Sequence, residues 1–287
     1  MSKTIRLEVP DWQAGDNPVY QLGAQILSVI APINEHQETI KIKIPHSNQP
    51  LTKENGVTAQ STILKTIQRT KAAITQANPD KIITFGGNCL VSQQPINYLN
   101  RHYNHQLGVI WIDSHPDISN PAVFYNEHAM VLGNLLHRGD PVIQAEVEMP
   151  LQGSQIYYAG IQEPTSDEQK LISEAGIEYQ VQSSSELNLS KIQAWIDQNK
   201  FGHIYIHLDM DVLNPDPRNF YATYFNNPEL GDVPDNAATG QMTRQSVWNA
   251  VETLSHNYDL VGLTLAEYLP WSAQQLQNLM KNTAIFN

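Results

Sequence analysis

An aspartate, a histidine and a second aspartate occur at alternate positions directly after an apolar stretch of the sequence. Asp113, His115 and Asp117 follow residues 108–112, which read Gly-Val-Ile-Trp-Ile. Alternate residues of an extended segment point to the same side, so the three side chains can converge. Pro116 disfavours a helix at the preceding residues. Carboxylates and an imidazole are ligands for a divalent metal ion, so the pattern predicts a metal site. The alternative is that Asp113 caps a helix and His115 is a surface residue.

A pair of acids further along the chain repeats this arrangement. Asp209 and Asp211 follow a second apolar run at 204–208. Two carboxylates separated by one residue repel each other, and a cation between them relieves that repulsion. The alternative is a turn, because Asn-Pro-Asp-Pro follows at 214–217 and aspartate is common in turns. The occurrence of both patterns at the ends of apolar strands favours the metal site.

Together these five residues offer mostly oxygen ligands and one imidazole. The set suits Mn²⁺, and Zn²⁺, Fe²⁺ and Ni²⁺ are alternative ions for it. Several carboxylates are available to bridge, so the set predicts either one ion or two ions about 3.5–4 Å apart. Such a pair lowers the pKa of a bridging water and supplies hydroxide at neutral pH.

The elements that must position these ligands follow from the alternation of short apolar runs with amphipathic stretches along the whole sequence. This alternation is typical of βαβ units and a parallel sheet. We therefore predict a single α/β domain over residues 1–287, with an eight-stranded, mostly parallel sheet between layers of helices. The predicted strands are 4–8, 39–44, 81–85, 108–113, 155–160, 177–181, 203–209 and 260–266. The predicted helices are 19–30, 59–77, 91–103, 128–137, 166–174, 187–199, 242–257 and 272–284.

An open sheet of this kind binds its ligands at the carboxyl ends of the strands. A third apolar strand, at 82–85, opens there into Gly86-Gly87-Asn88-Cys89. The segment 214–239 follows the second acidic pair and is rich in Pro, Asn, Gly and Asp. It is predicted to be a long loop over the site, because loops of this length are usually functional or mobile.

The amino-acid composition limits the classes of binding partner and predicts the cellular location. Seventeen Lys and Arg against 29 Asp and Glu give a net charge of −12, which argues against nucleic acid. The charge suits a cationic small-molecule substrate, and solubility explains it equally well. Cys89 is the one cysteine, so no internal disulfide forms. The N-terminal residues lack the apolar core of a signal peptide, and no apolar run approaches the roughly 20 residues of a membrane helix. We expect a cytoplasmic protein that does not bind a membrane.

Five ordered blocks of the sequence resemble the ureohydrolase superfamily, which includes arginase, agmatinase, guanidinobutyrase and formiminoglutamase. The family patterns are G-G-D-H, D-A-H-x-D, H-G-x-P, S-F-D-x-D-x-x-D-P and E-x-N-P. The blocks that resemble them are 86–89, 111–117, 127–130, 207–215 and 265–270. The resemblance implies an arginase-like fold and a homo-oligomer, either a trimer or a hexamer.

The resemblance also implies roles for individual residues. It gives six metal ligands in two sites that share two carboxylates. The shared residues are Asp113 and Asp209, one site adds His115 and Asp211, and the other adds Asp117 and Cys89. His128 would be the proton shuttle beside the reaction centre. Glu267 would bind a guanidinium through paired hydrogen bonds.

The sequence departs from the family blocks at several positions. Cys89 stands where the family has a metal-binding histidine, and Asn88 replaces the acid beside it. Three outcomes are open: two ions with Cys89 as a ligand, two ions with water in its place, or a single ion. The block at 127–130 lacks the family's Gly and Pro, and Tyr268-Leu269-Pro270 replaces Val-Asn-Pro. Residues 160–165 replace the G-L-R-D stretch of arginases, which argues against arginine as the substrate.

The resemblance implies a hydrolase of a guanidino or amidino carbon–nitrogen bond, in which hydroxide generated at the metal centre releases urea or an amide. Two alternatives remain. One is a single-zinc, deacetylase-like amide hydrolase on the same fold, although such enzymes use adjacent histidines and this chain has none. The other is a catalytically impaired protein with a structural or regulatory role. Six more histidines are assigned no function: His102, His105, His137, His203, His207 and His256.

Overall fold

The computed structural model describes residues 2–45, 50–215, 238–269 and 273–287. Nine strands lie in these ranges, and seven of them form one parallel sheet. In chain order they are β1 (Thr4–Val9), β2 (Glu38–Lys41), β3 (Lys53–Glu54), β4 (Val57–Thr58), β5 (Lys81–Gly86), β6 (Leu107–Ile112), β7 (Ile156–Ala159), β8 (His203–Asp209) and β9 (Leu260–Ala266). The sheet order is β2-β1-β5-β9-β8-β6-β7, and β3 pairs with β4 in a separate antiparallel ribbon.

The predicted α/β architecture with a mostly parallel sheet is confirmed, with seven strands instead of eight. The prediction of a strand at 177–181 is wrong. A cleft of about 1130 Å³ lies between β7 and residues 178–187, so this segment does not reach the hydrogen-bonding edge of β7. The predicted loop at 214–239 falls mostly on residues 216–237, which lie outside the described ranges.

Nine helices flank the sheet in the described part of the chain, and eight of them were predicted. They are α1 (Val19–Ile30), α2 (Gln60–Ala77), α3 (Gln93–His102), α4 (Val131–Leu135), α5 (Pro141–Gln144), α6 (Ser166–Glu174), α7 (Leu189–Asn199), α8 (Arg244–Asn257) and α9 (Ala273–Asn282). The start of α8 agrees with its sequence, because the Thr243 side chain accepts a hydrogen bond from Ser246 N at 3.2 Å and caps the helix. Helix α7 begins later than predicted, with Asn188 as its cap.

The sheet is covered on both faces. Every residue of β6 is buried. Val109 and Trp111 belong to one apolar cluster, whereas Ile110 and Ile112 belong to the other. Successive side chains of a strand point to opposite faces, so the two clusters are the two sides of the sheet. This explains why β6 is a continuous apolar run in the sequence.

Four adjacent strands carry the predicted ligands to one edge of the sheet. Strands β5, β9, β8 and β6 are neighbours in that order and run parallel. Their carboxyl ends therefore meet on one side, which brings together residues that are far apart in the sequence. None of the helices within residues 2–45, 50–215, 238–269 and 273–287 has the length and apolar character that a membrane crossing needs.

Candidate metal centre

Four polar side chains at the carboxyl ends of these central strands are almost completely buried. Asp113 follows β6, Asp209 is the last residue of β8, Glu267 follows β9, and Cys89 follows β5. Each is at most 3% exposed. Burying carboxylates without a compensating charge is costly, so this concentration requires either protons or a cation.

Asp113, His115 and Asp211 form the first group, with one candidate ligand atom from each within 4.8 Å of the others. His115 Nδ1 lies 2.9 Å from Asp211 Oδ2 and 3.6 Å from Asp113 Oδ1. Neighbouring donors fix both carboxylates: His115 N donates to Asp113 Oδ1 at 2.7 Å, and Ser114 Oγ donates to Asp211 Oδ1 at 2.8 Å. The other ring nitrogen of His115 lies 3.1 Å from the carbonyl oxygen of Ala238. The sequence prediction that these ligands converge agrees with this geometry.

A second group contains Cys89, Asp113, Asp117 and His207, again with candidate ligand atoms within 4.8 Å of one another. All four residues are buried. The backbone of Asp117 has a φ of +43°, a left-handed conformation that costs about 1–3 kcal/mol in a residue with a side chain. Such strain is typical of functional sites, and here it accompanies a carboxylate that enters the cluster.

Asp209, Asp211 and Glu267 form a third group of the same dimensions. The Cys89 thiol donates to Asp209 Oδ2 at 2.7 Å and lies 3.5 Å from Glu267 Oε1. Asp211 N donates to Asp209 Oδ1 at 2.7 Å. Asp113 belongs to the first and second groups, and Asp211 belongs to the first and third. Cys89 of the second group contacts Asp209 and Glu267 of the third, so the three groups form one continuous cluster that offers more than one set of ligands.

The pKa values of the buried acids show that the cluster disfavours its own negative charge. Burial raises the pKa of Asp113 to about 7, and the adjacent Asp211 adds to the shift. Burial also raises the pKa values of Asp117 and Asp209 well above the ordinary range, with neighbouring carboxylates in the same direction. The pKa of the Cys89 thiol rises through burial and then through Asp209. A bound cation would favour the ionised forms of all four groups.

The two histidines of the cluster have opposite electrostatic environments. Burial lowers the pKa of His115, whereas the adjacent Asp211 and Asp113 raise it. The two carboxylates have the larger combined effect, so the pKa lies well above 6.5. Burial lowers the pKa of His207 to about 3, so its ring is neutral at physiological pH. A neutral imidazole is the form that binds a metal ion.

Glu267 connects the cluster to two further side chains. Tyr20 OH donates to Glu267 Oε2 at 2.5 Å, and His128 Nδ1 lies 3.0 Å from Glu267 Oε1. Glu267 also has a left-handed backbone, with φ of +55°. The His128 side chain is 22% exposed whereas that of Glu267 is 3% exposed. His128 therefore lies between the buried acid and the exterior, where a proton shuttle is predicted.

Gly87 and Asn88 hold the chain after β5 against the end of β1. A Cβ atom on Gly87 would lie 1.8 Å from the carbonyl oxygen of Asp11, so only glycine fits. Asn88 Nδ2 donates to the same carbonyl at 2.8 Å, and Asn88 Oδ1 accepts from Leu90 N at 3.0 Å. Asn88 is thus a structural residue of this turn, and the turn directs Cys89 into the cluster.

The residues present fit a divalent metal ion. Two buried atoms that face the cluster, Asp117 Oδ2 and His207 Nε2, have no hydrogen-bond partner among the described residues. An unpaired buried polar atom costs about 1–3 kcal/mol, and coordination to a cation would remove that cost. The donors are carboxylate oxygens, imidazole nitrogens and one sulfur, which suits Mn²⁺ or a softer ion such as Zn²⁺ or Co²⁺.

The structure places the eight residues predicted from the sequence in or beside this cluster, and it adds others that contact them. His207 was assigned no function, yet it lies in the second group. A signal existed, because His207 and Asp209 are alternate residues of β8 and share a side of that strand. Tyr20 and Trp111 were also missed, and Trp111 Nε1 donates to Asp113 Oδ2 at 3.0 Å.

Comparison with known proteins agrees with this fold. A family model described as the arginase family matches residues 25–218. Comparison with curated proteins gives no match. The fold is similar to that of an arginase from Entamoeba histolytica in complex with L-ornithine, with 15% identity, a TM-score of 0.82 and coverage of 99% of this chain and 98% of the other. It is also similar to an arginase from Bacillus caldovelox, with 18% identity, the same TM-score and coverage of 99% and 98%. A formimidoylglutamase from Bacillus subtilis aligns with 13% identity, a TM-score of 0.66 and coverage of 99% and 86%. At these identities the likeness to the solved structures shows a shared fold.

Proposed function

Because the chain belongs to the arginase family, we propose that it is a metal-dependent hydrolase of a guanidino or amidino carbon–nitrogen bond. The observation that carries the proposal is the buried cluster at the sheet edge, in which two polar atoms have no hydrogen-bond partner among the described residues. Without a cation, burial raises the pKa values of Asp113, Asp117 and Asp209 and disfavours their ionised forms, which is a costly arrangement for a purely structural role.

The ligands divide into two sets that have two carboxylates in common. Asp113 and Asp209 would be shared, His115 and Asp211 would complete one set, and Asp117 and Cys89 would complete the other. When bound, divalent ions lower the pKa of a coordinated water and polarise the bond to be broken. We propose Mn²⁺ as the ion at the set with His115, because its donors are oxygens and one imidazole.

Glu267 and the surrounding acids would select a cationic substrate. Five buried carboxylates lie at this edge of the sheet, namely Asp113, Asp117, Asp209, Asp211 and Glu267. A planar guanidinium or amidinium presents two parallel N–H donors that match one carboxylate. Both oxygens of Glu267 already contact Tyr20 and His128, so the substrate would replace one of these contacts or share an oxygen with it.

His128 would carry protons between the reaction centre and the exterior. Its ring is partly exposed, and its Nδ1 faces Glu267. A histidine in this position can protonate a leaving amine and return the proton from water. The Tyr20 hydroxyl holds the other oxygen of Glu267 and would keep that carboxylate correctly oriented while His128 changes its charge.

The compact group of Asp113, His115 and Asp211 supports a second candidate. This group alone offers three ligands for one ion, which is enough for a catalytic zinc site with an open position. The protein would then be a single-zinc amide hydrolase. Metal content separates the candidates: two ions per chain favour the guanidino hydrolase, and one zinc favours the amide hydrolase. An absence of bound metal would indicate a structural or regulatory protein.

Activity is tested with the purified, Mn²⁺-loaded protein. The substrates are arginine, agmatine, guanidinobutyrate, guanidine and formiminoglutamate, with acetyl-lysine amide for the second candidate. Release of urea, ammonia or formamide is measured, with release of acetate for the acetyl-lysine amide. Asp211→Asn serves as a control that removes one ligand charge at nearly constant volume. We expect turnover of at least one guanidino or amidino compound and its loss in the variant. Turnover of none of them by metal-loaded protein would refute the proposal.

A further inference from the structure

The second ligand group contains a nitrogen donor that the proposed metal sites do not use. His207 lies on β8 two residues before Asp209, and its side chain is completely buried. Its Nε2 is 3.8 Å from Asp113 Oδ2 and belongs to the same group as Cys89 and Asp117. The nitrogen has no hydrogen-bond partner among the described residues. A polar atom in this state needs a partner that the protein itself does not provide.

The ring of His207 is held in one orientation by two contacts. The ring stacks on the Trp111 indole with a centroid distance of 3.6 Å and an interplanar angle of 10°. Its Nδ1 lies 2.8 Å from Ser92 Oγ. When Nδ1 donates its proton to the serine oxygen, the lone pair of Nε2 faces the cluster. A metal-binding histidine is usually oriented in this way, through a hydrogen bond from its second nitrogen.

Trp111 contacts both the His207 ring and a predicted metal ligand. Its indole Nε1 donates to Asp113 Oδ2, the same carboxylate oxygen that lies nearest to His207 Nε2. One side chain therefore fixes both the plane of the imidazole and the position of the acid beside it. Such double orientation is what a ligand pair requires and what an unconnected buried histidine would not need.

Cys89 lies in the same group as His207. Cys89 follows β5 and His207 lies on β8, and both are within reach of the Asp113 and Asp117 carboxylates. The group therefore offers one sulfur, one nitrogen and carboxylate oxygens.

We propose that His207 Nε2 is a ligand of the ion that Cys89, Asp113 and Asp117 hold. The inference rests on the proposed metal centre and deepens it. A mixed sulfur, nitrogen and oxygen set favours a borderline ion such as Zn²⁺, Co²⁺ or Fe²⁺ over Mn²⁺. The two halves of the cluster therefore differ in the ion they prefer, with the softer ion on the His207 side.

The test uses the full chain, stripped of metal and loaded with Co²⁺. Bound ions per chain are counted by mass spectrometry of the metals, and ligands are identified from the visible spectrum and from X-ray absorption. We expect His207→Gln to lose the ion at this group or to bind it at least tenfold more weakly, with a changed spectrum. His256→Gln removes an exposed histidine whose Nε2 contacts Asn282 O, and it should leave the ion count and the spectrum unchanged.

A double variant makes the test independent of any damage to packing. Cys89→His combined with His207→Ser places an imidazole at the end of β5 instead of on β8, and it should regain the ion that His207→Ser alone loses. If His207→Gln does not fold, X-ray absorption of the wild-type protein decides the question, because His115 and His207 predict two imidazoles per chain. An unchanged ion count and spectrum in His207→Gln, or a single imidazole in the wild type, would overturn the assignment. A wild-type protein that binds no ion would instead overturn the proposed function itself.

Discussion

We expect the metal-free protein to become less stable as the pH rises from 6.5 to about 8. Burial raises the pKa of Asp113 from 3.8 to about 7, so the folded protein retains a proton that the unfolded chain has lost. An acid with a raised folded-state pKa contributes stability that is complete below the unfolded pKa and is lost as the pH rises through the folded pKa. From these two pKa values, the contribution of Asp113 alone falls by about 1 kcal/mol over this interval.

The pH range 6.5 to 8 is chosen because other groups of the cluster also change the stability with pH. The raised pKa values of Asp117 and Asp209 act in the same direction as that of Asp113. The raised pKa of His115 also favours the protonated folded state, so its contribution declines with rising pH as well. His207 acts in the opposite direction, because its pKa is lowered to about 3 and its neutral ring gains stability as the pH rises toward 6.5. Between pH 6.5 and 8 this gain amounts to about 0.4 kcal/mol, which is smaller than the decline from Asp113, so a net decline should be visible.

The measurement is guanidinium chloride unfolding of chelator-treated protein at constant ionic strength across this interval. Asp113→Asn removes the titrating proton and should reduce the slope of unfolding free energy against pH. Asp259→Asn is the matched control, because the pKa of Asp259 is lowered and it does not titrate in this range. Added metal should stabilise the protein more at pH 8 than at pH 6.5, since ligands bind in their deprotonated form. A stability that is constant or rises over the interval, or an unchanged slope in Asp113→Asn, would refute the reasoning.

Three further outcomes are expected. Gly87→Ala should lower the free energy of unfolding by about 3 kcal/mol in denaturant titration, because the new Cβ would collide with the Asp11 carbonyl; a change near zero would mean that the turn has room to move. Thr165→Ala should cost about 1 kcal/mol in thermal unfolding, because Thr165 and Glu168 form a reciprocal cap at the start of α6; Glu168→Gln keeps an oxygen acceptor and should stay close to the wild type, and an equal loss in both variants would contradict the cap. Chelation of the metal-loaded protein should lower the melting temperature and be reversed by added Mn²⁺, whereas a melting temperature indifferent to chelator would contradict a resident ion.

The central strands were predictable because burial on both faces leaves an unmistakable pattern. Residues 107–112 have no polar side chain, so neither helix periodicity nor alternation could compete with a buried strand. The failed strand at 177–181 had no such pattern. Among residues 177–181 only Ile177 is buried, and the segment lines a cleft instead of pairing with a neighbouring strand. Its environment is set by β7 and α7, which a local sequence pattern does not encode.

The candidate site was predictable where ligands follow strands and unpredictable where partners come from elsewhere. Alternation after β6 and β8 was sufficient to group Asp113 with Asp211. Tyr20 contacts Glu267 across 247 positions of the chain, and no local signal connects a tyrosine on a helix to an acid after the last strand. His207 was overlooked because a histidine inside an apolar strand is usually a core residue, and its unpaired nitrogen is visible only in three dimensions.

The position of β9 has a consequence for how the proposed ions would be acquired. This strand comes last along the chain, yet it lies between β5 and β8 in the sheet. Until residues 260–266 have been synthesised and inserted, no strand joins β5, which precedes Cys89, to β8, which ends at Asp209. A nascent chain that stops short of this strand therefore cannot assemble the complete cage of ligands, however well its earlier units have folded. Ion binding should then occur late in the synthesis and folding of the chain. A protein with bound ions would be one in which all seven strands of the sheet have paired.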